Sequence, residues 1–455
     1  MHLSDHFTIP KLLRFTLPAI GTMVFTSIYA VVDGLFVSNY VGKTSFAAIT
    51  IIFPLLSVLA AAGFMFGAGG SSLVGKRLGQ GKKDSANATF SLLAYTTAAT
   101  GILLAIAGFL LLEPVASFLG ATGETLEQCL LYGQISLLSL PAFMLQFFFQ
   151  ALFVTAEKAQ LGFLVTCLAG LSNILLDAIL ILVADMGLMG AAIATALSEC
   201  LGGIIPILYF ARRNASLLAL TKPSLAFIDI LRAAANGSSE FLINIAYPLL
   251  MSIYTSQLLS IAGENGVAAF GVLLYVAFIF SSLLLGYATG SAPIVSYNYG
   301  ARRRRELAGL FRKSLTINLC AGSALSALAF LAKDTIADLF VGYDPALCAM
   351  TVNAIAFYAP VFLLSATNIF GSSFFTAINN GSASASISAF RSLLFGVPAV
   401  LLLPRIAGLD GVWIAWACAE AATLPVTIFL FCKGLPKVIW HSTDFSKPVC
   451  KKSSR

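Results

Sequence analysis

The stretch LPAIGTMVFTSIYAVVDGLFVSNYVG, Leu17–Gly42, decides how the rest of the chain is read. Between Phe15 and Val41 its one carboxylate is Asp33. The run is long enough to cross a bilayer as a helix, which takes about 20 apolar residues. A carboxylate within such a span costs about 2.5–3.5 kcal/mol on insertion scales, so Asp33 is a functional-site candidate. Pro18 removes a backbone donor early in the same run and marks a kink, the candidate hinge. The stretch reads as a helix whose shape is switched by an ion.

Working outward, the composition agrees with that reading. Of 455 residues, 58 % are hydrophobic and only 10 % charged, with a mean hydropathy of +0.91. Soluble domains carry roughly 25 % charged residues. The chain is therefore expected to be an all-α polytopic membrane protein. Twelve apolar runs are expected, near 15–40, 46–74, 86–112, 127–153, 161–184, 188–210, 237–261, 267–296, 314–332, 347–374, 385–404 and 411–432. Each is read as helix, because backbone groups in lipid must be satisfied within their own segment.

The 26-residue polar interruption at 211–236 contains Pro223 and separates two groups of six runs. The expected organisation is a first lobe over 1–215, a linker over 216–236, and a second lobe over 237–455 with a short basic tail. With the N-terminus placed inside, only Lys43, Lys333 and Arg405 fall in outer loops, and Arg391 falls within the eleventh run. All other basic residues, including Arg302–Arg305, fall inside, which predicts that both termini are cytoplasmic. The net charge of +7 is thus read as a positive-inside anchor rather than a nucleic-acid surface. The eight cysteines are scattered singly, and His2, His6 and His441 lie outside the runs. That argues against an intramembrane metal, a redox centre or an enzyme. The first run is too long for a cleavable signal and lacks a small-residue cleavage site.

The halves repeat at an offset of 221 residues. GLMGAAIATALSE at 187–199 lies over GLDGVWIAWACAE at 408–420, and Thr155-Ala156 lie over Thr376-Ala377. Each half has an even number of runs, so the repeat is parallel, an arrangement suited to two lobes rocking around a central cavity. Symmetry fails at the polar positions: at this offset Asp33 pairs with Tyr254, Thr195 with Trp416, Asn173 with Leu394 and Asp177 with Pro398.

Counting about 1.5 Å per residue from the outer helix ends places Asp33, Asp177 and Thr195 at one depth, with Asn173 one turn from Asp177 on the same face. Two carboxylates, an amide and a hydroxyl suit a proton or Na⁺, and the carboxylates would titrate jointly. Glu199 and Glu420 occupy equivalent positions, and either face the cavity and attract cations or act as structural glue. Glu240 lies near the inner end of its run. Arg391 is expected to snorkel to the interface. Phe147-Phe148-Phe149 is expected to be packing or lipid-facing surface. The preponderance of acidic charges within the spans favours lipophilic cations over anions.

The chain resembles the multidrug and toxic compound extrusion (MATE) transporters over nearly its full length, in the style of the bacterial MepA/DinF-like branch. The carriers are YAVVDGLFVSNYVGKTSFAAITIIFPL, GAGGSSLVGKRLGQGKKDSA, NILLDAIL and GLMGAAIATALSE. The resemblance implies two six-helix bundles and export of amphipathic, mostly cationic compounds in exchange for H⁺ or Na⁺. It carries a first-lobe cation site onto Asp33, Asn173, Asp177 and Thr195, and a bending role onto Pro18. A second-lobe site in the family uses a glutamate in the seventh helix and an aspartate in the tenth. Here Glu240 stands for the former, while the tenth helix offers only Tyr358 and Asn368. The expected protein is a monomeric, cofactor-free antiporter of the bacterial inner membrane, in contact with membrane lipids. The alternative is a lipid or glycolipid flippase of the same superfamily.

Overall fold

The computed structural model describes residues 2–223 and 226–436. The basic tail residues Lys437, Lys447, Lys451, Lys452 and Arg455, with His441 and Cys450, lie outside the described residues. The described chain is helical, with no strand among the described residues. In order it forms α1 (Ile9–Phe36) with a π turn (Val37–Val41), α2 (Lys43–Gly79), α3 (Lys83–Phe118), α4 (Gly123–Thr155), and α5 (Ala159–Asp177) with a π turn (Ala178–Val183). Then follow α6 (Gly187–Ala211), α7 (Phe227–Asn236), α8 (Ser238–Gly300), α9 (Arg304–Val341), α10 (Pro345–Tyr358) and α11 (Pro360–Ala377). The last elements are α12 (Gly381–Ala389) with a π turn (Phe390–Leu394), and α13 (Gly396–Leu435).

Ten described helical stretches are long and apolar enough to cross a membrane. Two of them hold two crossings each. α8 breaks at Gly263 (φ 63°, ψ −150°) and α13 breaks at Gly408 (φ 58°, ψ −133°), conformations that glycine adopts without a Cβ penalty. Twelve candidate crossings result among the described residues, matching the twelve runs. One element was not expected: α7 lies within the polar interruption. It is too short to span, and it docks through Asp229, which accepts two bonds from Arg77 at 2.8 and 2.9 Å.

The repeat is visible in the backbone. Gly42 and Gly263, Gly81 and Arg302, and Gly187 and Gly408 all have positive φ, and each pair is 221 residues apart. The register slips where α4 and α11 end. Lys158 N donates to the Phe153 carbonyl as Asn380 N donates to that of Phe375, so the offset there is 222. Thr155 therefore stands over Ala377, which corrects the pairing of Thr155-Ala156 with Thr376-Ala377. α5 and α12 likewise start 222 apart, and their π turns fall at different places. The simple pairings of Asn173 with Leu394 and Asp177 with Pro398 do not hold. At an offset of 222 the partners are Phe395 and Ala399, which are equally apolar.

Each half has its own apolar core. In the first, Phe90, Phe148, Phe149 and Phe210 pack ring against ring, so the phenylalanine run is largely core, and Phe147 stacks on Phe64. In the second, Tyr358, Phe362 and Trp413 are buried. The halves meet through small residues. A Cβ on Gly79 would lie 2.0 Å from the Tyr297 carbonyl, and one on Gly300 would lie 2.1 Å from the Lys76 carbonyl. Such backbone approach drives helix association where lipid removes the hydrophobic incentive. Gly286 and Gly290 receive Ile20, Ala19 and Thr16 of α1 in the same way.

The segment before α1 spans both halves at this end. His2 Nδ1 lies 2.8 Å from Glu157, which also accepts the Leu3 N–H. Four residues on, His6 Nδ1 lies 2.6 Å from Glu306, which also accepts the Phe7 N–H. Leu3 and Phe7 are fully buried in a small core with Val154 of α4 and Leu310 of α9. Arg303 donates to the Ser4 carbonyl.

Candidate cation site in the first half

Three helices converge on the site. α1 carries Asp33 in its last turn, just before a π turn whose first N–H bonds the Asp33 carbonyl. α5 ends on Asp177, again just before a π turn, and Asn173 lies one turn earlier. α6 supplies Thr195. π turns are frequent at functional sites because the extra residue re-aims the side chains beside it.

The Asp33 carboxylate interacts with the side chains of Asp177, Asn173 and Thr195. Asp177 is fully buried and Asn173 is 1 % exposed. Asp33 Oδ1, Asn173 Oδ1, both carboxylate oxygens of Asp177 and Thr195 Oγ1 are buried without a hydrogen-bond partner. Unsatisfied buried acceptors are costly, and each needs a physical reason. α4, α5 and α6 contain no basic residue that would supply one. Five oxygens on two acids, an amide and a hydroxyl form a donor set for a hard cation or a proton. The four residues chosen from the sequence are thus brought together.

α1 carries several features that weaken a helix. Pro18 lies inside it. Thr22 Oγ1 donates to the Pro18 carbonyl, Ser27 Oγ to Met23, and Thr16 Oγ1 to Leu12. Back-bonding of this kind loosens and bends helices.

Glu199 lies on α6 one turn from Thr195 and accepts from Ser139 Oγ. It is not in the oxygen set. Glu420 has a different setting. It is fully buried and accepts from Arg391 Nε and from Asn368 Nδ2 at 2.7 Å. Asn368 Oδ1 in turn accepts from Thr427 Oγ1 at 2.7 Å. The expectation that Arg391 snorkels is therefore wrong. The carboxylate of Glu420, buried in the same half, holds its guanidinium inward, because leaving either charge unpaired there costs more than desolvating both. This pair was missed in the sequence, where the two residues stand 29 apart on different helices.

The second half has no comparable oxygen set among its described residues. At the 221-residue offset from Asp33 and Thr195 stand Tyr254 and Trp416, whose rings stack at 5.7 Å. Phe270 stacks on Tyr254 and Tyr358 meets Trp416 edge-on. Tyr358 and Asn368 thus belong to a ring cluster and to an ion-pair network. Glu240 sits in the first turn of α8, within electrostatic reach of Arg391.

A family model described as MatE matches residues 18–179 and 239–402, two blocks that begin one repeat apart. The chain belongs to the MatE family. Among its relatives is the protein named "Multidrug export protein MepA" of Staphylococcus haemolyticus, 24 % identical over 434 residues that cover 92 % of each chain. The protein of that name from Staphylococcus aureus is 24 % identical over 426 residues, covering 91 % of this chain and 92 % of its own. Among solved structures, an outward-facing multidrug resistance MATE family transporter of the MOP superfamily superposes with a TM-score of 0.89. It is 22 % identical, and the match covers 95 % of this chain and 97 % of that one. A MOP superfamily transporter from Pyrococcus furiosus, described as having a binding pocket of reversed polarity, gives 0.87 at 23 % identity, with 95 % and 97 % covered. The MatE chain is accordingly a multi-pass membrane transporter and not an enzyme.

Proposed function

We propose that this MatE protein is an ion-coupled antiporter that exports amphipathic organic cations by alternating access. The observation that carries the reading is the set of five unpartnered oxygens on Asp33, Asn173, Asp177 and Thr195, with no basic residue on α5 or α6 and those of α1, Lys11 and Arg14, about five turns or more from Asp33. The naming of MepA relatives as multidrug export proteins supports it. The coupling cation, H⁺ or Na⁺, enters from outside to Asp33 and Asp177 and needs no further cofactor. Its arrival draws the end of α1 toward α5 and α6. α1 bends at Pro18, the residue next to Ala19 and Ile20, which pack on Gly286 and Gly290 of the second half. A bend there acts directly on the contact between halves, so cation binding shifts the balance of open and closed states by its differential affinity. The lobes are residues 1–215 and 237–455, joined by 216–236. The end carrying the pre-α1 segment, Lys76 and Arg302–Arg305 is cytoplasmic, and the protein works as a monomer in the bacterial inner membrane.

The test is efflux of a fluorescent lipophilic cation from proteoliposomes under a proton gradient and a sodium gradient imposed separately, with Asp33→Asn as control. Drive by one gradient, lost in the variant, names the coupling ion. Absence of drive by either, together with movement of a labelled lipid, replaces the antiporter by a flippase.

A further inference from the structure

We propose that Glu199, together with Gln146, Tyr29 and Tyr132, is the anchor for the charged end of the exported molecule, and that it selects cations carrying N–H donors, such as amidines, guanidines and protonated amines. This rests on the antiporter reading and adds a second cation position, distinct from the Asp33 and Asp177 oxygens.

The argument starts from the second half, which holds the same site already filled. The 222-residue register of α4 and α11 places Asn368 over Gln146. The 221-residue register of α6 and α13 places Glu420 over Glu199. Each half thus presents an amide from one helix and a glutamate from another. In the second half the set is closed: Arg391 Nε and Asn368 Nδ2 donate to Glu420, and Thr427 Oγ1 donates to Asn368 Oδ1.

In the first half the amide is kept as Gln146, but the counterparts of the Arg391 and Thr427 donors have been removed. Thr427 is replaced by Pro206, which has no hydroxyl. α5, the repeat mate of the segment that carries Arg391, has no basic residue from Ala159 to Asp177. Gln146 is only 4 % exposed, yet its Oε1 has no partner. It presses on α6 at Gly202, less than one turn from Glu199, where an added Cβ would meet it at 2.6 Å. Glu199 itself receives only the Ser139 hydroxyl. The missing elements are a cationic N–H donor for the carboxylate and a donor for the amide oxygen, and an amidinium or guanidinium supplies both. Arg391 demonstrates inside this molecule that such a group fits.

The remaining walls suit an organic cation. Tyr29 lies within electrostatic reach of Gln146 and Glu199, and Tyr132 within reach of Glu199 and Asp33. Aromatic faces beside a carboxylate hold cations well. The arrangement also ties substrate to coupling ion. Thr195 and Glu199 are i and i+4 on α6, about 6 Å apart along its axis, and Tyr29 and Asp33 are i and i+4 on α1. A cation at each place repels the other across one helical turn, so the exported cation and the coupling cation displace one another.

The test uses the purified full chain in detergent with no gradient. Ethidium binding is followed by its fluorescence, with benzamidine as competitor. Glu199→Gln keeps the acceptor for Ser139 and its shape while removing the charge. It is expected to raise the ethidium Kd about tenfold or more, to abolish competition by benzamidine, and to leave the thermal unfolding temperature unchanged. Gln146→Leu is expected to weaken benzamidine more than tetraphenylphosphonium, which has no N–H. Ethidium and benzamidine binding equal to wild type in Glu199→Gln overturns the proposal while leaving the antiporter reading intact. Wild-type protein that binds none of the three probes and exports none of them sinks both.

Discussion

The rings of Tyr254 and Trp416 stack with centroids 5.7 Å apart, at the two places that the repeat assigns to Asp33 and Thr195. The same helix-to-helix junction is therefore polar and unsatisfied in the first half, and aromatic and closed in the second. A stack of this kind adds about 0.5–1.5 kcal/mol beyond simple burial, and it requires neither ion nor water. The halves share a fold, but among the described residues only the first keeps unpartnered oxygens at this junction.

Truncation of that stack separates the roles. Trp416→Ala removes the ring that Tyr254 and Tyr358 both touch. Trp416 is partly buried, so the loss of stability is expected to fall below the roughly 3–5 kcal/mol of a fully buried aromatic, seen as a lower unfolding temperature. The ion dependence of transport by the folded fraction is expected to stay as in wild type. A change of coupling ion or loss of ion dependence would show that the second half takes part in coupling.

Asp33→Asn and Asp177→Asn should behave in the opposite way. Each replaces a buried acid that lacks a compensating donor by a neutral isostere, so stability is expected to be equal or higher. Gradient-driven efflux is expected to vanish in both, because the cation loses half of its charged ligands. The readouts are unfolding temperature and proteoliposome efflux, measured on the same preparations. Efflux retained by both variants would remove these residues from the coupling site.

Arg391 gives a third, distinct signature. Arg391→Ala leaves Glu420 buried with no cationic partner and is expected to cost about 3–5 kcal/mol. Arg391→Leu combined with Glu420→Gln removes both charges, and the introduced amide oxygen still accepts from Asn368. The double variant is expected to recover most of that loss, since a neutral replacement of a buried pair is often as stable as the pair itself. A double-mutant cycle on thermal unfolding measures the coupling directly. An additive cycle would mean that the pair contributes nothing.

Much of this was legible in the sequence for physical reasons. Spans announce themselves because lipid forbids anything but helix, and a lone carboxylate such as Asp33 stands out within an apolar run. The depth of Asp33, Asp177 and Thr195 followed from rise per residue alone. What the sequence hid was set by single-residue changes in register. The π turns after Asp33 and Asp177 and before Phe395 each add a residue that no composition reveals. The slip at the ends of α4 and α11 concealed the match of Gln146 with Asn368. Arg391 looked like a residue seeking water because its partner lies on another helix. The His2-Leu3 and His6-Phe7 pairs carried no signal either, since their meaning depends on Glu157 and Glu306, which lie far along the chain.

Those two pairs lead to the last prediction. Each Glu takes a histidine nitrogen and the next backbone N–H, and each following apolar residue is buried, so the segment ties α4 of the first half to α9 of the second. Lys11 bonds Asp5 at 2.9 Å and, with the His2 N–H, holds that carboxyl below its ordinary range. The sign follows: this contribution is present at neutral pH and is lost only as the pH falls through the lowered value. Glu306→Ala removes the acceptor of two bonds from His6 and Phe7. It is expected to free the segment to trypsin cleavage after Lys11 and to favour separation of the halves at this end. Limited proteolysis and disulfide trapping between cysteines placed at Ser4 and Arg303 read the two effects. Asp5→Asn at neutral pH is expected to give a weaker form of the same result, because Leu3 and Phe7 remain buried. Equal cleavage rates in wild type and Glu306→Ala would show that the buried side chains alone hold the segment in place.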